Sequence, residues 1–211
     1  MELLLSSYVL DGVRRPTVLP PPVTGRAGVI LNALDQYGSS RNRDFSREDR
    51  TLASWGYQCE ELDLRDYFSA PATLSTRLAT LDMVWALGGN AFVLARAMNA
   101  CGFGPALRQR TSTAQFTYGG YSAGACVAGP DLRGIHLMDD PGVLPAGYPP
   151  ESQPIGLGLV PFRIVPHWRS DHQEAPAAER AAAWLARTGL EHRCLRDGQV
   201  VTVDGTVMTM L

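Results

Sequence analysis

The sequence predicts an α/β fold, a three-layer sandwich in which a mostly parallel central sheet is flanked by helices. Short apolar segments bounded by turn residues alternate with longer amphipathic segments. A length of 211 residues suits one hydrophobic core, so we expect a single α/β domain over residues 1–211. With 45% hydrophobic and 19% charged residues, the composition is that of an ordinary globular protein.

The predicted strands follow the apolar segments in chain order. They are Glu2–Ser6, Ala27–Leu34, Gln58–Leu62, Met83–Leu87, Phe116–Tyr121, Phe162–Val165, Val200–Val203 and Thr206–Met210. The last two flank Asp204 and Gly205, a pair typical of a hairpin turn, so we expect them to pair with each other.

The predicted helices are Ser46–Gly56, Ala91–Ala100, Gly104–Arg110 and Ala175–Thr188. Ser46 is expected to cap the first helix, and Gly189 to end the last. The stretch Asp140–Gly158 is rich in Pro and Gly, which predicts a surface loop.

Composition excludes several classes of function. All 19 basic residues are arginine, so a Schiff base, a Ser-Lys dyad, a pyridoxal-phosphate site and a P-loop are excluded. The arginines are dispersed and the net charge is −2, which argues against a nucleic-acid partner. Four separated cysteines without a C-x-x-C pair favour free buried thiols. No signal-peptide pattern is present near the first residue, so we expect a cytoplasmic protein without a membrane partner.

The segment Phe116–Ala128 contains the pattern Gly120-x-Ser122-x-Gly124 at a predicted strand-to-helix turn. A serine on so tight a turn needs small neighbours, and its hydroxyl is then exposed. The free amides of the following helix, beginning with Ala123, favour negative charge at the same place. Ser122 is therefore the candidate nucleophile.

An imidazole must take the proton of a serine nucleophile, and the histidines are His136, His167, His172 and His192. His167 follows the apolar segment Phe162–Pro166. It is therefore expected at the carboxyl end of a strand, where active sites of parallel sheets lie. We expect His167 to be the base, and the other three to be exposed or structural.

The segment that begins at His167 also allows a second hypothesis. His167, Asp171 and His172 lie close enough in sequence to form part of a metal site. The sequence shows no H-E-x-x-H or comparable helical spacing to complete such a site, so we expect no metal.

A carboxylate must orient the imidazole, and the candidate is Asp197. Asp197 and Gly198 lie between two apolar segments, where Asp-Gly is also a common turn. A simple turn role therefore stays open on the pattern alone.

Three separated segments, in this order, resemble motifs of the peptidase E family of aspartyl dipeptidases. Leu87–Phe92 resembles the family's Gly-Gly-Asn-Thr segment, Gly120–Ala125 its serine elbow, and Val165–His167 its Asn-Pro-His segment. The resemblance extends from about Ala27 to Thr209 and implies a flavodoxin-like fold related to class I glutamine amidotransferases.

Leu195–Gly198 resembles the family's Leu-Pro-Glu-Gly, which implies that Asp197 fills the role of the glutamate. The implied triad is Ser122, His167 and Asp197, in a chain order that differs from that of α/β-hydrolases. The resemblance also implies that Gly89 supplies an oxyanion amide beside that of Ala123.

Substrate recognition departs from the family pattern. There, an arginine in a Gly-Glu-Thr-Arg stretch holds an N-terminal aspartate, whereas Gln173–Arg180 shows no matching arginine. Arg169 or Arg180 is a candidate substitute, and a solvated helix face is the alternative role. The sequence also lacks the longer C-terminal tail of the family's aspartyl dipeptidases, so Asp-X specificity stays open.

Three further residues are candidates for substrate binding. Asp139 and Asp140 match an acidic motif near the family's active site, where either carboxylate is able to bind a substrate amine or to cap a loop. Asn90 is a candidate too, with capping of the next helix as its structural role.

Together these residues predict a serine-type peptidase that cleaves small peptides through an acyl-enzyme, without a metal or organic cofactor. We expect a monomer or homodimer whose partner is a small peptide. The alternatives are a non-catalytic binding module on the same fold and an amidase or esterase with a non-peptide substrate. A cysteine amidotransferase is disfavoured, because the elbow bears serine and Cys126 lies one helical turn further on.

Overall fold

A computed structural model describes residues 1–10, 12–17, 19–37, 41–150, 155–204 and 207–210. Its strands are β1 (Glu2–Ser6), β2 (Arg26–Ile30), β3 (Gln58–Glu61), β4 (Met83–Ala86), β5 (Thr117–Tyr121), β6 (Arg163–Val165), β7 (His192–Cys194), β8 (Val200–Asp204) and β9 (Val207–Met210). Its helices are α1 (Arg41–Ser54), α2 (Ala72–Leu78), α3 (Ala91–Ala100), α4 (Phe103–Thr113), α5 (Ala123–Cys126) and α6 (Ala175–Arg187).

Seven strands form the main sheet in the order β3-β2-β4-β5-β1-β8-β9. The first five of these are parallel, whereas β8 pairs antiparallel with β1, and β9 antiparallel with β8. Strands β6 and β7 form a separate parallel pair. The predicted α/β fold with a mostly parallel sheet is therefore confirmed.

Helices cover both faces of the main sheet, as alternation along the strands requires. Leu4 of β1 packs in a cluster with Leu52 of α1 and Trp55. Its neighbours Leu3 and Leu5 point the other way, into a larger cluster with side chains of α2, α3, α4 and α5. A third, small cluster joins β6 to α6 through Val165, Ala178, Ala181, Ala182 and Leu185.

Several predicted boundaries were wrong. Helix α1 begins at Arg41, and Ser46 lies inside it, where its hydroxyl donates to the Asn42 carbonyl oxygen instead of capping the helix. Strand β2 ends at Ile30, because residues 32–34 turn into a short 3₁₀ helix. Helix α2 was not predicted.

The remaining elements follow the sequence more closely. The two predicted hairpin strands pair as β8 and β9, while residues 205–206 of the hairpin lie outside the described residues. The predicted loop 140–158 is irregular in its described part, apart from one bridge between Asp131 and Ile155. Within the described residues, each helix is too short or too polar to cross a membrane.

Candidate active site

Ser122 lies on a sharp turn between β5 and α5, with φ 50° and ψ −114°. A methyl group on Gly124 would lie 2.1 Å from the Ala86 carbonyl oxygen, and one on Gly120 would lie 2.5 Å from the same atom. The turn therefore packs against the end of β4 so tightly that both flanking positions require glycine. This strand-to-helix context is the one that the sequence predicted.

His167 and Asp197 come from the second, two-stranded sheet. The amide of Leu195 donates to the Val165 carbonyl oxygen at 2.9 Å, and the amide of Trp168 donates to the Leu195 carbonyl oxygen at 3.0 Å. These bonds extend the β6–β7 pairing past the ends of both strands. His167 and Asp197 therefore leave neighbouring parallel strands at the same, carboxyl edge.

The structure brings Ser122, His167 and Asp197 into one hydrogen-bonded line. The Ser122 hydroxyl oxygen lies 3.1 Å from Nε2 of His167. Nδ1 of the same ring lies 2.8 Å from Oδ1 of Asp197. The His167 side chain is 2% exposed, whereas that of Asp197 is 22% exposed and Ser122 is partly exposed, so the buried ring lies between two partly exposed groups. A serine, an imidazole and a carboxylate in this arrangement are able to move a proton from the hydroxyl to the ring.

Ser7, at the end of β1, contacts both His167 and Asp197. Its hydroxyl oxygen accepts a hydrogen bond from the His167 amide at 2.8 Å and lies 2.8 Å from Oδ1 of Asp197. A second acceptor, the Leu195 carbonyl oxygen, lies 3.1 Å away. Sequence reasoning missed this residue. Its position directly after a predicted parallel strand was the available signal.

The Asp197 turn is fixed from a second side. Its amide donates to the Ser170 hydroxyl at 2.8 Å. His167 itself has φ 60°, a left-handed conformation that is uncommon for a residue with a side chain. The surrounding hydrogen bonds hold this strained backbone in place.

The His167 ring is enclosed by aromatic groups. The ring of His172 stacks on it with centroids 3.8 Å apart and planes 8° apart. Tyr8 packs edge-on against both rings, at 5.6 Å from His167 and 5.2 Å from His172. The sequence placed His172 in a polar turn, and its contact with His167 comes from a fold of the chain that local pattern does not encode.

Burial lowers the pKa of the His167 imidazole below its usual 6.5, although the hydrogen bond to Asp197 opposes the shift. Charge repulsion by the neighbouring His172 also lowers the pKa of His167. The ring is therefore neutral near pH 7, so Nε2 is available to accept a proton.

A cleft of about 380 Å³ opens in front of Ser122. Two arginines of α1 lie in its wall. Arg47 bonds Tyr121 at 2.6 Å and pairs with Asp44 and Glu48, whereas the Arg43 side chain is 83% exposed. The full lining is Tyr8, Val9, Leu34, Arg43, Asp44, Arg47, Gly88, Gly89, Tyr121, Ser122, His167, His172, Gln173 and Glu174.

The segment after β4 lies directly beside Ser122. A methyl group on Gly88 would lie 3.1 Å from Cβ of Ser122. Gly89 has φ 134°, and a methyl group there would lie 2.5 Å from the Ala33 carbonyl oxygen. Gly89 thus adopts a backbone conformation that favours glycine, at the edge of the cleft.

Asn90, Asp139 and Asp140 lie next to the start of α3. The Asn90 side chain caps α3 by accepting from the amides of Phe92 and Val93 at 2.9 and 3.0 Å. Oδ2 of Asp139 accepts from the Ala91 amide at 2.8 Å. Asp140 accepts from the Gly142 amide within its own turn. None of these three is among the described residues that line the cleft.

Burial raises the pKa of the Asp139 carboxyl to about 7, against the hydrogen bond from Ala91, which lowers it. The negative charge of Glu174 raises the pKa further. Asp139 is thus a carboxyl that titrates close to neutral pH behind the cleft.

The two arginines proposed from the sequence for substrate binding lie outside this lining. The guanidinium of Arg169 stacks over Trp168 at 4.4 Å. That of Arg180 donates to the Pro176 carbonyl oxygen at 3.2 Å on the exposed side of α6. The arginines that line the cleft, Arg43 and Arg47, come instead from α1. Sequence reasoning missed them because that helix lies far from the motifs.

The side chains of His136, His192 and Cys126 have partners outside the hydrogen-bonded line. His136 packs edge-on against Trp184 at 5.2 Å, and Nδ1 of His192 lies 2.8 Å from the Leu190 carbonyl oxygen. Cys126 is buried, and this burial raises the pKa of its thiol well above the usual value. A thiol in this state is a poor nucleophile.

One group of metal-ligating side chains lies within the described part of the chain. Ligand atoms of His167, His172 and Glu174 all lie within 4.8 Å of one another. Asp171, which the sequence hypothesis placed in such a group, is exposed and does not belong to it.

Comparison with known proteins points to one family. The sequence model of Peptidase family S51 matches residues 39–211. A candidate alpha-aspartyl dipeptidase of Drosophila melanogaster is 31% identical over 165 residues, 76% of this chain and 63% of its own. Peptidase E of Streptomyces coelicolor is 34% identical over 134 residues, 61% of this chain and 51% of its own. The chain therefore spans from half to just under two thirds of these relatives.

Solved structures share the fold. A candidate peptidase E from Listeria monocytogenes EGD-e has a TM-score of 0.77 at 20% identity, over 100% of this chain and 97% of its own. A peptidase from an acI-B1 Actinobacterium has a TM-score of 0.68 at 15% identity, and the match covers 100% of this chain and 86% of that one. The resemblance to the peptidase E family and its fold, inferred from separated motifs, is confirmed by the family match and by these structures.

Proposed function

Because the chain belongs to Peptidase family S51, we propose that it is a serine-type peptidase that hydrolyses small peptides, with Ser122, His167 and Asp197 as its triad. The observation that carries the proposal is the hydrogen-bonded line from the Ser122 hydroxyl through the His167 ring to Asp197. It joins residues of two different sheets at the wall of one cleft.

The reaction begins when Ser122 attacks the peptide carbonyl carbon and His167 takes the hydroxyl proton at Nε2. Asp197 accepts from Nδ1, which keeps the proton on that nitrogen and stabilises the imidazolium that forms. Ser7 acts as a positioning residue, because it contacts the backbone of His167 and the carboxylate of Asp197.

The negative charge on the carbonyl oxygen needs hydrogen-bond donors in a fixed position. The amide of Ala123, at the start of α5, and the amide of Gly89, beside the elbow, fill this role in our proposal. His167 then passes the proton to the leaving amine, which departs and leaves an acyl group on Ser122. A water molecule, deprotonated by the same ring, then attacks the acyl carbon; the bond to Ser122 breaks, and the ring returns the proton to the serine oxygen.

The substrate of this chain is proposed to carry a carboxylate near the scissile bond. The Drosophila relative is named as an alpha-aspartyl dipeptidase, and the cleft of this chain contains two guanidinium groups. Arg43 is the better candidate for an ionic contact, because its side chain is 83% exposed and lies 3.9 Å from Asp44. Arg47 is only 27% exposed and pairs more closely with Asp44, at 3.1 Å, and with Glu48, at 2.9 Å. Asn90, Asp139, Asp140, Arg169 and Arg180 would then contribute indirectly, through the position of the loops around the cleft.

The remaining expectations about the chain stay predictions. They are a single domain over residues 1–211, a cytoplasmic location, a monomeric or homodimeric state, and a reaction without a metal or organic cofactor.

Replacement of the candidate nucleophile tests the proposal. Ser122→Ala should lower kcat on a panel of dipeptides by about four to six orders of magnitude, with an unchanged circular dichroism spectrum. The control is Ser112→Ala, which removes an exposed hydroxyl of α4 that donates to the Gln109 carbonyl oxygen. Wild-type turnover in the Ser122 variant would overturn the triad. Turnover of acyl amides or p-nitrophenyl esters without any dipeptide turnover would instead assign an amidase or esterase.

A further inference from the structure

We propose that the same cleft holds a Zn²⁺ site formed by His167, His172 and Glu174, and that the bound ion blocks hydrolysis. The binding site is argued from the positions of these side chains alone. The block rests on the proposed function, because it requires His167 to act as the base.

The three side chains supply a complete set of zinc ligands. Two imidazoles and one carboxylate form the set found in zinc peptidases, where zinc bonds nitrogen and oxygen at about 2.0–2.2 Å. Nε2 of His167 lies 3.8 Å from Oε2 of Glu174, and all three ligand atoms lie within 4.8 Å of one another. Ligands of one tetrahedral zinc lie about 3.4 Å apart, as these bond lengths require. The ion must also lie close to the plane of each imidazole, so the two parallel rings have to tilt out of their stack for both to bond it.

His167 already has the partner that a zinc-binding histidine requires. Its Nδ1 lies 2.8 Å from the carboxylate of Asp197, which leaves the lone pair on Nε2, 3.1 Å from the Ser122 hydroxyl at the wall of the cleft. A carboxylate on the remote nitrogen fixes the tautomer and raises the basicity of the coordinating nitrogen. The arrangement that makes His167 a base therefore also makes it a metal ligand.

His172 is held next to His167 by the stacked geometry of the two rings. Their centroids are 3.8 Å apart, and Tyr8 packs edge-on against both. Nδ1 of His172 accepts a hydrogen bond from the Glu174 amide at 3.2 Å. If Nδ1 of His172 bonds the zinc, its lone pair is no longer available to the Glu174 amide. If Nε2 bonds the zinc instead, Nδ1 carries the proton and again is unable to accept this hydrogen bond. One long hydrogen bond is a small loss beside a coordination bond.

Glu174 has a carboxylate that is free to turn toward an ion. Its side chain is 36% exposed and lies at the start of α6, in the wall of the 380 Å³ cleft. The cleft gives an ion a path to the site and leaves room for water in a fourth position.

Zinc at this place would stop the reaction for a specific reason. The Ser122 hydroxyl oxygen lies 3.1 Å from Nε2 of His167, the same nitrogen that would bond the metal. Once its lone pair bonds zinc, Nε2 is unable to take the serine proton. The ion and the proton of Ser122 therefore compete for one atom.

Binding is tested with Zn²⁺ alone, titrated into the full chain in competition with a chromophoric chelator. We expect one equivalent to bind, and His172→Gln and Glu174→Gln each to weaken binding by at least about tenfold, since even indirect partners of zinc ligands are worth 10- to 100-fold. His192→Gln, at a histidine outside the cleft, is the matched control and should bind as wild type does. Equal affinity in all four proteins would overturn the site.

Inhibition is measured on the same proteins with a dipeptide substrate. Zinc should abolish wild-type turnover, EDTA should restore it, and the inhibitory concentration should rise at least about tenfold in His172→Gln and Glu174→Gln. If zinc binds through these residues and the wild-type protein still cleaves the dipeptide at its normal rate, the proposed inhibition is overturned. A wild-type protein that cleaves nothing in EDTA would count against the proposed function, while the titration would still decide the site.

Discussion

The two halves of the candidate site are built in different ways. Ser122 lies on the seven-stranded sheet, where the turn is fixed by packing against the neighbouring strand: a methyl group on Gly124 would lie 2.1 Å from the Ala86 carbonyl oxygen. His167 and Asp197 lie on the small β6–β7 sheet, which packs on α6 through its own apolar cluster. The first half depends on steric constraint, and the second on hydrogen bonds between distant segments.

The difference shows where the site is vulnerable. The elbow keeps its shape as long as β4 and β5 stay packed, whereas the His167–Asp197 pair must be aligned with an oxygen on another sheet. Ser7, directly after β1 of the main sheet, makes this connection through its bonds to His167 and Asp197. A change in the small sheet should therefore impair activity more than stability, and a change at the elbow glycines should do the reverse.

Asp197→Asn should give the largest effect and isolates the small-sheet half. An amide in this position is able to donate to Nδ1, which favours the tautomer with the proton on Nε2 and removes the base. We expect kcat to fall by about 10⁴-fold, as in other serine triads, with little change in unfolding midpoint. The control is Asp171→Asn, at an exposed neighbouring carboxylate. A kcat within tenfold of wild type would exclude Asp197 as the orienting group.

Gly124→Ala tests the elbow half. The added methyl group overlaps the backbone of β4, so the free energy of unfolding in urea should fall by about 3 kcal/mol. Gly104→Ala is the control, because Gly104 lies in α4 and the atom nearest to its new methyl group, Nη1 of Arg108, is 3.5 Å away. There the change should raise stability by about 0.5–1 kcal/mol. Equal stabilities of the two variants would contradict the steric account of the turn.

Ser7→Ala tests the connection between the halves. The His167 amide and the Asp197 carboxylate each lose a partner, so we expect kcat to fall about 10- to 100-fold while KM changes little. Ser6→Ala is the matched control, since Ser6 is equally buried but donates to the Tyr8 carbonyl oxygen. A purely structural role for Ser7 would instead lower stability in both variants and leave the kcat of folded protein unchanged.

Asp139→Asn should have the smallest effect, and only on the pH dependence of stability. The pKa of Asp139 is raised from 3.8 to about 7 in the folded protein. The folded state therefore holds a proton that the unfolded state loses, and wild-type stability should fall as pH rises from about 4 to 7. The Asn variant should lack this part of the pH dependence in urea titrations. The control variant Asp140→Asn, at an exposed neighbour, should retain this pH dependence. If the plots of unfolding free energy against pH were parallel for wild type and Asp139→Asn, the raised pKa would not belong to Asp139.

The sequence predicted the half of the site that local pattern encodes. Gly120 and Gly124 identified the elbow, and the apolar segment before His167 placed that ring at the carboxyl end of a strand. Asp197 was found from its motif, since Asp-Gly by itself indicates only a turn. The positions of most strands along the chain, and the mostly parallel character of the sheet, followed from the alternation of apolar and amphipathic segments.

What the sequence missed depends on contacts between distant segments. Ser7 meets Asp197 across 190 positions of the chain. His172 reaches His167 because the intervening turn folds back, and Arg43 reaches the cleft through the packing of α1. No periodicity or spacing reports such contacts, because they exist only once the two sheets are assembled.

The most direct test of the account is the pH dependence of Ser122 labelling by a small fluorophosphonate, followed by mass. One adduct, on Ser122, should form at a rate that falls on acidification through a pKa below 6.5, because burial keeps His167 neutral above it. His167→Ala should abolish labelling at every pH. No adduct on Ser122, or equal labelling with and without the His167 ring, would contradict a serine activated across the two sheets.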